Sequence, residues 1–194
     1  MNTLSRPATR ALSVTVLMWL LAVSWAALGG TLATLQMPWI AALVAAGIVL
    51  PTLAYFASPA LQALAQRAGL KWLTALHLWR VPAAMAFYAY GLAGELPPLF
   101  WLLAGTGDLL AGLYAAGALR AQPTRAYYQR FHAFGFADFV VAVGTGLTYT
   151  LLRDPRMAPI AQWPLALIPL FGVGLSGAAH LVAFDLLRRN GHSR

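Results

Sequence analysis

Four ionisable residues stand inside long apolar runs of this sequence: Arg80 in "HLWRVPAAM", Asp108 in "GTGDLLAGL", Asp138 in "GFADFVVAV" and His180 in "SGAAHLVAF". On membrane-insertion scales a single Arg or Asp at a helix centre costs about 2.5 to 3.5 kcal/mol, so three unpaired charges would cost roughly 9 kcal/mol. Pairing relieves that cost. One arginine set against two aspartates leaves one negative charge, which a proton on His180, a proton on an aspartate or a bound cation would cancel. The chemistry on offer is therefore the holding and exchange of a proton or ion, with His77 and Ser176 as secondary members of the set.

Other chemistries draw on the same residues. His77 and His180, on different helices at similar depth, meet the crude requirement for ligating haem b, although no Cys-x-x-Cys-His is present for covalent attachment. A redox subunit that binds haem or reacts with quinone is thus the first alternative to proton- or ion-linked transport. Asp108, Asp138 and His180 could also supply three ligands to a hydrolytic metal, but H-E-x-x-H is missing, as is any glycine-rich phosphate loop. The bland alternative is a structural or accessory protein in which buried ion pairs merely fix helix registry. None of these patterns requires an enzyme, and none names a cofactor. His132, beside Arg130, and His192, in "RRNGHSR", read as solvated.

These residues need apolar elements to hold them. The chain of 194 residues is 60% hydrophobic and 9% charged, with a mean hydropathy of +0.69, where a soluble domain carries roughly a quarter charged residues. Six stretches are long enough to cross a hydrocarbon core of about 30 Å: residues 11–30, 38–57, 72–93, 97–119, 131–152 and 162–187. The expected fold is all-α, a single polytopic membrane bundle of six transmembrane helices over residues 1–194. A β-barrel would need a period-two alternation that this sequence lacks. With no cysteine, disulfides, thiolate metal ligands and iron–sulfur clusters are excluded. The apolar run after "MNTLSRPATR" is longer than a signal-peptide core and reads as an uncleaved first helix.

The net charge of +8 is spread over helix ends rather than gathered into a nucleic-acid-binding motif. Arg6, Arg10, Arg67, Lys71, Arg120, Arg125, Arg130, Arg188, Arg189 and Arg194 fall on one side of a six-span frame, and Arg153 and Arg156 on the other. The positive-inside rule then puts both termini in the cytoplasm of a bacterium, with the chain in its inner membrane. Trp39, Trp101 and Trp163 mark outer boundaries, and Trp72, Tyr127 and Tyr128 mark inner ones. Between spans two and three, Ser58 as N-cap, Pro59 at the first position and Gly69 as a stop predict a short interfacial helix over about 59–68. Small residues share faces with the charges: Ala104, Gly112 and Ala116 with Asp108, Gly135, Ala142 and Thr145 with Asp138, and Gly172 and Ser176 with His180. Pro82, Pro164 and Pro169 predict distortions. Expected partners are the lipid bilayer and a small solute or ion, with a homo-oligomer open and nucleic acid excluded.

The stretches "LTALHLWRVPAAMAFYAYGLAGELPPLFWLLAGTGDLLAGL", "FGFADFVVAVGTGLT" and "PLALIPLFGVGLSGAAHL" resemble an uncharacterised family of bacterial six-span integral membrane proteins. The resemblance lies in Trp79–Arg80, Leu96–Pro97, Gly105 to Asp108, Gly135 to Asp138, and Ile168, Pro169 and His180. It does not extend to His77 or His132. It implies a layout and no activity.

Overall fold

The computed structural model describes residues 5–35, 37–120 and 123–189; His192 and Arg194 fall outside them. The described residues form seven α-helices: α1 (Ser5–Leu28), α2 (Met37–Ala57), α3 (Pro59–Ala75), α4 (Arg80–Leu92), α5 (Pro98–Arg120), α6 (Arg125–Leu151) and α7 (Val173–Arg189). Short 3₁₀ segments cover Leu32–Thr34, Leu76–Trp79 and Pro155–Ala161, and a π-helical turn covers Ile168–Gly172. No strand occurs among the described residues. The protein is all-helical.

Among the described residues, five helical stretches are long and apolar enough to cross a membrane: Pro7–Leu28, Pro38–Ala57, Pro98–Arg120, Arg125–Leu151 and Ile168–Arg189. The stretch expected as a continuous third span, 72–93, is built differently. Ser58 does cap α3, accepting from the Leu61 amide, but Gly69 (φ 69°, ψ 174°) kinks the helix. The 3₁₀ turn Leu76–Trp79 then leads into the 13-residue α4. Pro82 supplies the reason. It has no N–H for the Leu78 carbonyl and its ring crowds that carbonyl, so the turn before it tightens. Pro169 acts similarly ahead of α7, where the expected distortion takes the form of the π-helical turn.

Outward faces are apolar. On α1, Leu17, Met18, Leu21 and Trp25 are all more than half exposed, far more contiguous apolar surface than a water-soluble monomer presents. α7 is the most buried of the five long helices and α1 the least. α4 lies along α5, α7 lies along α2, and α6 packs on both α5 and α7. The small-residue stripe of α5 is buried at Ala104, Asp108 and Gly112, but Ala115 rather than Ala116 completes it. A spacing of four overshoots the 3.6-residue turn, so the buried line drifts back by one position.

At the polar end of α6, Asp154 caps the segment Pro155–Ala161 and pairs with Arg156 at 2.6 Å. The hydrogen bond from the Arg156 side chain holds the Asp154 carboxyl below the usual carboxylate range. At the other end, α2 and α7 are tied by Tyr55, whose hydroxyl donates to Asp185 at 2.7 Å, while Arg189 pairs with the same carboxylate at 2.7 Å.

The backbones of α2 and α7 approach closely at Gly174. A Cβ there would lie 2.6 Å from the Trp19 ring and 2.8 Å from the Gly47 carbonyl oxygen. We expect Gly174→Ala to destabilise the fold by about 1 to 3 kcal/mol through overpacking, measured as a lower thermal midpoint in detergent. Gly144→Ala is the matched control. Nothing lies within 4 Å of its added Cβ, so its midpoint should hold or rise. Equal behaviour of the two variants would contradict the tight α2–α7 approach.

Candidate functional site

Arg80 is the first residue of α4, fully buried and directed into the bundle by the tightened turn before it. Its Nε donates to Asp108 Oδ1 of α5 at 2.6 Å, and its Nη2 donates to Asp138 Oδ2 of α6. Nη1 donates to the Gly135 carbonyl at 3.4 Å, and the guanidinium carbon lies 4.2 Å from the centre of the Phe139 ring. The planar fork of arginine thus reaches two carboxylates and a carbonyl at once through separate, fixed N–H groups, where a lysine would bring all its donors to a single nitrogen. Two glycines make room for it. A side chain on Gly107 would collide with the Asp138 carboxylate, and one on Gly135 would meet both His180 and Arg80.

His180 lies on the other side of Gly135, and two more histidines join it. His132 Nδ1 and His180 Nδ1 are 2.8 Å apart, and the His77 ring stacks on the His180 ring with centroids 4.1 Å apart and planes at 29°. His132 Nε2 lies 3.2 Å from the Thr74 hydroxyl of α3. All three rings are fully buried. This corrects the reading of His132 as solvated. It precedes Gly135 by three residues and Phe139 by seven, a helical spacing that puts it on the buried face of α6, and that spacing was the signal available in the sequence.

The structure therefore gathers Arg80, Asp108, Asp138 and His180, together with His77, His132 and Thr74. Ser176 has a different task, accepting from Trp79 Nε1 at 2.7 Å and so tying α7 to the residue before Arg80. The carboxylates considered as metal ligands are occupied by Arg80. A haem held between His77 and His180 does not fit either, because a porphyrin needs the two rings on opposite faces of its plane and these stack directly on one another.

Asp108 has a second neighbourhood. A cavity of about 320 Å³ runs between α2, α5, α6 and the segments before α7, lined by apolar residues such as Val44, Phe100, Phe139 and Ile168, and Asp108 is its one charged lining residue. Val143 and Leu147, both exposed, stand at its rim. The charged cluster thus meets an apolar chamber on one side and the three histidines on the other.

Neither the curated proteins nor the solved structures contain a significant match to this chain. Residues 37–188 match a family model, and that range holds every residue of the site. The chain belongs to the family described as a domain of unknown function, DUF8737.

Proposed function

We propose that the chain crosses a bacterial inner membrane six times, with both termini in the cytoplasm, and that Asp108 and Asp138 hold an exchangeable proton in the proton-linked movement of a small solute. The third of the six spans in this reading is composite. The end of α3 after Gly69, the 3₁₀ turn and α4 run without interruption to Leu92, which at about 1.5 Å per residue is enough to cross a core of about 30 Å.

The observation that carries the reading is the sharing of one guanidinium by two carboxylates, Asp108 buried and Asp138 half-buried. With the imidazoles neutral, the cluster holds one unit of uncompensated negative charge. Burial in low dielectric makes that charge costly, and a proton shared by the carboxylates removes it. Asp108 faces the apolar cavity, so a solute entering there would meet the titrating group directly. The cavity supports this reading over a purely structural network, which needs no chamber at its edge.

In liposomes with a pH-sensitive dye inside, wild-type protein should dissipate an imposed proton gradient. Asp108→Asn and Asp138→Asn should each slow this by at least about tenfold, which corresponds to roughly 1.4 kcal/mol, while retaining helical content and elution volume. Flux unchanged in both variants would reject these sites. Arg80→Leu should lower stability by about 3 to 5 kcal/mol, because it strands the buried Asp108 and the half-buried Asp138 without their cation, as read from thermal unfolding in detergent. Removing all three charges together, with leucine at positions 80, 108 and 138, should recover most of that loss and still carry no flux. If it restores flux as well, the cluster is structural.

A further inference from the structure

The three buried histidines have a pattern of hydrogen bonding that their own protons do not satisfy. Of six ring nitrogens, His132 Nε2 faces the Thr74 hydroxyl, and the two Nδ1 atoms of His132 and His180 face one another. Both nitrogens of His77 and Nε2 of His180 have no hydrogen-bond partner among the described residues. Each of these rings is fully buried, and an unpaired buried polar group costs about 1 to 3 kcal/mol. Two Nδ1 atoms aimed at each other at 2.8 Å need one proton between them, and a cation can take that proton's place.

We propose that His77, His132 and His180 form a binding site for one first-row transition-metal ion. One nitrogen from each ring can be chosen so that all three lie within 4.8 Å of one another. With metal–nitrogen bonds of about 2.0 to 2.1 Å, ligand atoms lie roughly 3.3 to 3.6 Å apart, so the His77 nitrogen moves in while the His132–His180 Nδ1 pair opens from 2.8 Å, both through small ring rotations. The donor set is three neutral imidazoles without thiolate or carboxylate, which suits zinc, copper, iron or nickel rather than magnesium or calcium. Thr74 completes the arrangement. With His132 Nε2–H donating to the Thr74 hydroxyl, the Nδ1 lone pair is left for the ion, the outer hydrogen bond that metal-bound histidines commonly make. The surroundings add a balancing charge, since the neighbouring Arg80–Asp108–Asp138 cluster is negative by one unit when both carboxylates are ionised.

This site stands on the three rings and does not require the proton-linked reading. Zinc is the probe. Full-length protein in detergent, stripped with chelator and titrated with Zn²⁺, should bind one equivalent and unfold at a higher temperature. His77→Ala should weaken binding by at least about tenfold. His77 makes no hydrogen bond among the described residues, so the variant loses packing only, and retained helical content and elution volume establish that it folds. Thr74→Val should weaken it by about tenfold, in the range seen for outer-shell partners; a merely structural histidine cluster would show no such effect on Zn²⁺. Asp108→Asn, which tests the proton-linked reading, should retain one equivalent of Zn²⁺. No binding by wild type, or an undiminished equivalent in both His77→Ala and Thr74→Val, would overturn the proposal.

Discussion

One guanidinium holding two carboxylates is the constraint on which the rest of the bundle depends. Arg80, Asp108 and Asp138 begin on three helices, and an arginine can reach both acids only if α4, α5 and α6 converge to within the width of its fork. That convergence explains the glycines better than helix propensity does, since glycine in a helix interior is unfavourable by roughly 1 kcal/mol relative to alanine. Gly107 leaves space for the Asp138 carboxylate, Gly112 lets α5 lie against the backbone at Arg80 and Val81, and Gly135 admits both His180 and the guanidinium. Removing Arg80 strands two negative charges inside the bundle, so the approach of the three helices depends on the arginine above all.

Delivering Arg80 to that point requires an irregular helix. A regular α-helix from residue 72 onward would have kept the turn before Pro82 open; the 3₁₀ turn instead rotates His77 and Arg80 relative to the rest of α4. The opposite wall uses the same device. Pro169 opens a π-helical turn, after which α7 places Ser176 beneath Trp79 and His180 beside His77. Two proline-distorted segments thus face each other across the site, which is where departures from ideal geometry are expected to concentrate.

The all-helical class, the cap at Ser58 and the inward set Arg80, Asp108, Asp138 and His180 were legible because they follow from hydropathy, capping chemistry and the cost of unpaired charge. The continuity of the third span was not, because hydropathy is blind to a change of helix type within an apolar run. His132 was misplaced for a related reason. Its neighbour Arg130 argued for water, whereas the phase of α6 argued for burial, and a helix can turn one side to the interface while the next position faces the core. The Tyr55–Asp185–Arg189 tie was readable only in part, since the i, i+4 pair lies in the sequence but the tyrosine comes from another helix.

The asymmetry around the cluster gives it a direction. On one side Asp108 borders an apolar chamber that offers no compensating charge; on the other, Arg80 is followed by imidazoles, which can bind a cation through lone pairs without adding negative charge of their own. Charge therefore cannot leave the cluster toward the chamber as a bare ion at low cost, whereas a proton on Asp108 leaves that wall neutral. With the same proton on Asp138, the Asp108 carboxylate is ionised against Arg80. Arg80 contacts both carboxylates, so in the proposed reading either one stays paired when the other holds the proton, and passage of the proton between them would change the polarity of the chamber without changing the net charge of the bundle. A solute bound against Asp108 would sense that difference as the presence or absence of a hydrogen-bond donor, which is the minimum that coupling of proton and solute requires.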